Sequence, residues 1–139
     1  MRPAVFIDTS YILALLNTAD EHHGRAALAS LQVRPPFLAT EAVLTEIGNA
    51  LARVHWRALG VAAIDDLRND PNIEVVTVDT ALFGSALRLY SQRPDKEWGL
   101  TDCISFVVMQ ERHSSQVLTT DHHFAQAGFH NVLTGLVAA

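Results

Sequence analysis

A chain of 139 residues with 49% hydrophobic residues has the size and composition of one compact domain, and we expect a single domain over residues 1–139. Its one cysteine, Cys103, excludes an internal disulfide and a zinc site built from cysteines. The first residues are too soon charged for a signal peptide and the apolar segments are too short to span a membrane, so the expected location is the cytoplasm.

Fifteen acidic residues outnumber ten Lys and Arg, and the formal net charge is −5. Proteins that bind nucleic acid usually present a basic surface, so this total argues against RNA or DNA as a partner. Carboxylates gathered in one site and filled by divalent cations would nevertheless present positive charge to a phosphate. The location of the acids therefore matters more than their sum.

Strand and helix patterns alternate along the chain, which predicts βαβ units and a parallel sheet. The predicted elements are a strand at 4–7, helices at about 9–16 and 22–31, a strand at 36–39, a long helix at about 40–56, a helix at 61–68, a strand at 73–78, helices at 80–92 and 101–112, a strand at 116–119, a short helix at 124–126 and an edge strand at 131–133.

The element boundaries rest on local signals. Thr9 and Ser10 are candidate caps of the first helix, and Thr40 is a candidate cap of the long one. The long helix has an apolar stripe at helical spacing, and Gly60 interrupts the pattern that follows it. The stripe consists of Val43, Ile47, Leu51 and Val54.

Four acidic residues stand where they can meet. Asp8 and Asp121 each follow a predicted strand, and the carboxyl ends of parallel strands lie at one edge of a sheet. Glu46 lies on the face of the long helix that carries Asn49, away from the apolar stripe. Asp102 follows Thr101, a candidate helix cap, and would stand in the first turn of its helix.

Such a cluster of carboxylates repels itself unless protons or cations are supplied. Carboxylate oxygens suit Mg²⁺ or Mn²⁺, and these ions can activate water and neutralise charge that builds on a phosphate. The sequence therefore predicts a metal site able to hydrolyse phosphodiester bonds.

Four segments in this order resemble one family. They are IDTSYILALL from Ile7, TEIGNAL from Thr45, LTDCISFVVM from Leu100 and LTTDHHF from Leu118. The chain resembles PIN-domain ribonucleases, and among them the small VapC-like toxins of toxin–antitoxin pairs. The resemblance implies a three-layer α/β/α sandwich around a mainly parallel sheet of four to five strands, and an endoribonuclease that uses Mg²⁺ or Mn²⁺.

The resemblance also implies roles for individual residues. The catalytic and metal-binding acids of the family match Asp8, Glu46, Asp102 and Asp121. The supporting hydroxyl after the first acid matches Thr9 or Ser10, and the small polar residue before the fourth acid matches Thr119. The partners implied are an RNA substrate, a small cognate antitoxin protein and a second copy of the chain in a homodimer.

Other residues have two interpretations. Arg53 is a candidate contact for RNA phosphate, or an ordinary surface arginine. Trp56 and Trp98 are base-stacking platforms, dimer contacts or core residues. Asp79 has the position of a helix cap. The histidine pairs, 22–23 and 122–123, lack metal-ligand spacing, and we expect the second pair to start a helix or lie at the surface.

Two other functions compete with the ribonuclease hypothesis. A phosphohydrolase with Asp8 as nucleophile would normally need a second acid two residues later, where Ser10 stands. A non-catalytic regulator that binds RNA or protein would gain nothing obvious from four clustered acids. The sequence favours a metal-dependent endoribonuclease of the toxin type.

Overall fold

The computed structural model describes residues 2–136 and contains one sheet of five parallel strands. The strands are β1 (Val5–Ile7), β2 (Phe37–Thr40), β3 (Ile73–Val76), β4 (Gln116–Leu118) and β5 (His130–Asn131). The helices are α1 (Thr9–Leu16), α2 (His23–Gln32), α3 (Glu41–Ala50), α4 (Val54–Asn69), α5 (Thr80–Gln92), α6 (Leu100–Glu111) and α7 (His123–Gln126), and a 3₁₀ turn follows at Val132–Gly135. The predicted α/β sandwich is confirmed.

The sheet order is β3-β2-β1-β4-β5. The chain leaves β1 in one direction through β2 and β3, then returns across the sheet to β4 on the other side of β1. Because crossovers between parallel strands are right-handed, α1 to α4 cover one face and α5 to α7 the other. The direction of winding changes between β1 and β4, and sites in sheets of this kind form beyond the strand ends at that point.

The core lies on both faces of the central strands. Phe6 and Val117, on β1 and β4, have no exposed surface. On one face, Phe106 of α6 packs against three aromatic rings at centroid distances of 5.0 to 5.6 Å. Those rings belong to Trp98, Phe124 and Phe129. This cluster fixes the short helix α7 against α6, and α7 begins within the candidate site.

The predicted long helix is two helices, and its boundary prediction was wrong. Helix α3 ends at Ala50, and α4 begins at Val54 and continues through Gly60. A Cβ atom at Gly60 would stand 3.2 Å from the Cβ of Leu51, so the glycine allows α4 to approach the end of α3 closely. Val54, expected in the apolar stripe, is 93% exposed because the chain turns before it.

The strand β3 lies at the edge of the sheet and is shorter than the predicted 73–78. Beyond its end, the backbone N–H of Val78 donates to Oε1 of Glu41 at 2.9 Å. Asp79 caps α5 as predicted, since its Oδ1 accepts the N–H of Leu82 at 2.8 Å. Thr40 also caps α3 as predicted, with Oγ1 accepting the N–H of Val43 at 3.2 Å. Among residues 2–136, no helix has the length and apolar character of a membrane span.

Candidate active site

Asp8 occupies the centre of the site and is only 3% exposed. It follows β1, and its backbone N–H continues the sheet by donating to the carbonyl oxygen of Leu118 at 3.0 Å. Burial raises the pKa of Asp8 to about 6, and the nearby charges of Asp121 and Asp102 act in the same direction. Without a cation, this carboxylate is therefore unfavourably placed as an anion.

Two hydroxyl groups hold the Asp8 carboxylate. Ser10 Oγ donates to Asp8 Oδ2 at 2.6 Å and Thr119 Oγ1 donates to the same oxygen at 2.8 Å. The two hydroxyl oxygens also lie 3.0 Å from each other. Each hydroxyl has only one proton, so when both donate to Asp8 they form no hydrogen bond with each other. These bonds lower the pKa of Asp8 and partly offset its burial. Thr9 and Ser10, the predicted caps of α1, do not cap that helix. Ser10 donates to Asp8, and Thr9 donates to Glu46.

The backbone after β4 is tied to the same hydroxyls. The N–H of Thr120 donates to Ser10 Oγ at 2.9 Å, and the N–H of Asp121 donates to Thr119 Oγ1 at 3.2 Å. Asn131 donates from Nδ2 to the carbonyl oxygen of Thr119 at 2.9 Å. The segment that carries Asp121 is therefore fixed relative to Asp8.

Asp102 stands in the first turn of α6, with Gly99 instead of Thr101 as the helix cap. Its Oδ2 accepts the backbone N–H of Gly99 at 3.0 Å. Burial raises its pKa, the charge of Asp121 adds to that effect, and bonds from Gly99 and His123 oppose it. The Asp102 carboxylate is 16% exposed and, like Asp8, is destabilised as an anion by its surroundings.

His123 is the residue that sequence reasoning undervalued. It begins α7, as expected, but its Nδ1 lies 2.9 Å from Asp102 Oδ2. An ionised carboxylate only accepts, so Nδ1 carries the proton in this contact and Nε2 is the other ring nitrogen. The backbone N–H of His123 also donates to Asp121 Oδ1 at 2.9 Å. Asp102, Asp121 and His123 offer possible ligand atoms within 4.8 Å of one another.

Glu46 approaches from α3 and is exposed. Thr9 Oγ1 donates to Glu46 Oε1 at 2.7 Å, so the first residue of α1 directs the glutamate towards Asp8. One hydroxyl thus supports Glu46, whereas two support Asp8.

All four predicted acids line one cavity of about 510 Å³, which we call the carboxylate pocket. Its lining comprises Asp8, Thr9, Ser10, Leu13, Glu46, Asn49, Ala50, Asp102, Asp121 and His123. The sequence-predicted quartet is therefore brought together. Arg53 does not line the pocket, because α3 ends before it and the helical spacing from Glu46 does not continue. A contact of Arg53 with RNA stays a prediction.

The two tryptophans differ. Trp98 is 6% exposed and packs in the aromatic cluster, with Nε1 donating to Oε1 of Gln126 at 3.0 Å. It is a core residue. Trp56, on α4, is 51% exposed, so a surface role stays open for it.

Comparisons with known proteins agree with this geometry. The PIN domain family matches residues 5–130. The 23S rRNA-specific endonuclease VapC20 of Mycobacterium tuberculosis is 32% identical over 127 residues, which cover 90% of this chain and 95% of that protein. Proteins of that name from strains CDC 1551 / Oshkosh and H37Rv match equally.

Two solved structures have the same arrangement of the chain. The crystal structure of Mycobacterium tuberculosis VapC20, described as a sarcin–ricin loop cleaving toxin, superposes with a TM-score of 0.84 at 28% identity, covering 91% of this chain and 96% of that one. FitAcB from Neisseria gonorrhoeae superposes with a TM-score of 0.62 at 18% identity, covering 91% and 95%, which shows the fold alone. On the family match and the sequence identity, this chain belongs to the PIN-domain family.

Proposed function

We propose that the protein is an endoribonuclease that uses Mg²⁺ or Mn²⁺ to hydrolyse RNA phosphodiester bonds. The convergence of Asp8, Glu46, Asp102 and Asp121 on one pocket carries the proposal. These residues come from separate segments of the chain. A fold held together only by packing has no need to collect three further acids around a buried carboxylate.

The donor set fits a hard divalent cation. Carboxylate oxygens dominate the pocket, and Mg²⁺ and Mn²⁺ prefer oxygen ligands. Asp102 and Asp121 offer ligand atoms close enough to share one ion, and the Asp8 carboxylate lines the same pocket. When bound, the ion supplies positive charge to offset the charge that develops on the phosphate in the reaction.

The side chains have distinct positions around this centre. Asp8 is held by two hydroxyl donors at the buried end of the pocket, which keeps its carboxylate in one orientation. Glu46 is exposed and held by one donor, so it is the acid best placed to meet RNA or water arriving from solvent. His123 orients the Asp102 carboxylate through Nδ1.

The biological role that we propose is that of a toxin, with a small antitoxin protein as its partner. The similarity to VapC20, whose name describes cleavage of 23S rRNA, supports this role. An RNA hairpin carrying the sarcin–ricin loop is accordingly the first substrate to test. We place the protein in the cytoplasm, where such a substrate lies.

We also propose a homodimer, because α5 presents an apolar surface to solvent. Phe83, Leu87 and Tyr90 are 44 to 50% exposed and follow the i, i+4, i+7 spacing of one helix face. Leu87→Glu would place a charge in the centre of that face. Light scattering after gel filtration should show a dimer for the wild-type protein and a monomer for Leu87→Glu.

The nuclease proposal is tested by incubating the purified protein with the hairpin RNA in Mg²⁺, in Mn²⁺ and in EDTA. Cleavage is expected with either ion and not in EDTA. Asp8→Asn should abolish it, and Asp65→Asn, which makes the same charge change on the exposed surface of α4, should not. Full activity of Asp8→Asn in Mg²⁺ would overturn the proposal.

A further inference from the structure

A second pocket lies on the other side of the segment Thr119–Thr120 from the carboxylate pocket. Its volume is about 330 Å³, and we call it the threonine pocket. It is lined mainly by His22, Arg25, Thr119, Thr120, Asn131 and Thr134. A volume of this size lies at the lower end of those that bind small ligands.

The two pockets have no lining residue in common, but hydrogen bonds from Thr119 and Thr120 connect them. Thr119 lines the threonine pocket, and its hydroxyl donates to Asp8 of the carboxylate pocket, whereas its carbonyl oxygen accepts from Asn131, which also lines the threonine pocket. The N–H of Thr120 donates to Ser10 on the carboxylate side. A ligand in the threonine pocket therefore lies next to the acids, at the same edge of the sheet.

The two pockets have opposite electrostatic character. Four carboxylates line the first, whereas no Asp or Glu lines the second. Arg25 supplies a permanent positive charge there. Its Nη1 donates to the carbonyl oxygen of Leu133 at 2.7 Å, and within residues 2–136 it forms no ion pair with a carboxylate. A guanidinium has five N–H donors, so this bond leaves others to face a ligand.

The neighbouring side chains suit a nucleotide. His22 adds ring nitrogens, although its Nε2 lies 3.4 Å from a carboxylate oxygen of Glu21 at the surface. Thr120 and Thr134 add hydroxyl groups, which can meet ribose hydroxyls. A ligand with one phosphate and several hydroxyls matches this lining better than an apolar or a cationic ligand.

We propose that the threonine pocket binds the nucleotide of single-stranded RNA adjacent to the scissile phosphodiester, with Arg25 contacting its phosphate. This inference rests on the proposed function, because it assumes that the acids act on RNA. It also answers the objection from net charge. The RNA strand is held by a cation beside the acidic centre, in a protein that is acidic overall.

The test measures RNA binding separately from cleavage. Asp8→Asn protein is titrated into a short fluorescein-labelled single-stranded RNA of mixed sequence, and anisotropy is followed at several salt concentrations. Adding Arg25→Gln should weaken binding several-fold and reduce the slope of log affinity against log salt by about 0.7, the value for one lost phosphate contact on a single strand. Glutamine removes the charge and, because its side chain is two bonds shorter, also the bond to Leu133, so the change in salt slope is the measure of the lost charge.

Arg34→Gln is the matched control, since Arg34 is exposed, lies outside both pockets and carries the same charge. It should leave affinity and slope unchanged. In protein with Asp8 intact, Arg25→Gln should raise the KM for RNA more than it lowers kcat. Equal RNA affinity and equal slope for Arg25→Gln and Arg34→Gln would overturn the inference.

Photocrosslinking tests the inference on the wild-type protein, so it does not require that a variant folds. RNA carrying 4-thiouridine should crosslink to peptides containing Thr120 or Thr134, and crosslinks confined to other surfaces would overturn the inference. The proposed nuclease function fails separately, if the wild-type protein binds RNA through Arg25 and cleaves none in Mg²⁺ or Mn²⁺. If the wild-type protein cleaves RNA but Arg25 contributes nothing to binding, the nuclease function stands and the inference about the threonine pocket fails.

Discussion

The Nδ1 atom of His123 lies 2.9 Å from Oδ2 of Asp102, although 21 positions separate the two residues. The contact exists because Phe124, the next residue, is buried against Phe106 of α6 and fixes the start of α7 beside the start of α6. The histidine is thus held in place by the core and joins two of the predicted acids, Asp102 and Asp121.

The first prediction separates the two neighbouring histidines. His123→Ala should lower Mn²⁺ affinity by roughly 10- to 100-fold, the usual effect of losing a group that orients a metal ligand. His122→Ala is the control, because that side chain is exposed and does not line the pocket. Calorimetric titration with Mn²⁺ gives both affinities. Equal affinities would mean that the contact with Asp102 has no part in metal binding.

The second prediction concerns the stability cost of the buried acid. Without metal at pH 7.5, Asp8→Asn should raise the free energy of unfolding by about 1–2 kcal/mol, because the amide avoids burial as an anion and still accepts from Ser10 or Thr119. Urea denaturation in EDTA measures the change. Asp65→Asn, at an exposed position, should give no change. A less stable Asp8→Asn protein would show that the carboxylate is favourable without a cation.

The acidic quartet could be predicted from sequence because each member has a local signal. Asp8 and Asp121 each follow a predicted strand, Asp102 follows the start of a helix, and Glu46 lies off the apolar stripe of its helix. These signals, together with the parallel sheet, determine which edge the acids share. The distances between them depend on how α3 and α6 pack on the sheet, and no local pattern encodes that packing.

The sequence predictions that were wrong or incomplete failed for the same physical reason, namely that they depend on tertiary packing. The position of His123 depends on the burial of Phe124, a tertiary contact, whereas its sequence neighbours suggested only a helix start. Gly60 has the local signature of a helix breaker, yet it lies within α4, where it allows close contact with Leu51. Val54 continues a helical period across a turn that the period cannot reveal.

The third prediction is the pH dependence of the metal-free protein. The pKa of Asp8 is raised from 3.8 to about 6, so the unfolded chain releases this proton before the folded chain does. The free energy of unfolding of the metal-free protein is therefore highest, as far as Asp8 is concerned, below about pH 4, where Asp8 is protonated in both states. It falls as the pH rises through 6, by a total on the order of 3 kcal/mol. The pKa of Asp102 is also raised and acts in the same direction.

Urea denaturation of wild type and Asp8→Asn in EDTA, at intervals between pH 4 and 7.5, isolates the contribution of Asp8. The difference in unfolding free energy should grow in favour of Asp8→Asn as the pH rises. Saturating Mn²⁺ should reverse the trend in the wild-type protein, because the ion binds the ionised acids. A difference that does not depend on pH would show that Asp8 has an ordinary pKa.

The fourth prediction is that Thr9 acts through Glu46. Thr9→Val removes the hydroxyl that donates to Glu46 Oε1 at 2.7 Å and keeps the shape of a buried side chain. RNA cleavage should fall, but by less than in Glu46→Gln, because the carboxylate remains and only its orientation is lost. In the double variant, Thr9→Val should add little to the effect of Glu46→Gln, since the two changes remove one interaction. Thr45→Val, beside Glu46 on the exposed surface of α3, is the control and should leave cleavage unchanged. Fully additive losses in the double variant would mean that Thr9 supports cleavage by a route independent of Glu46.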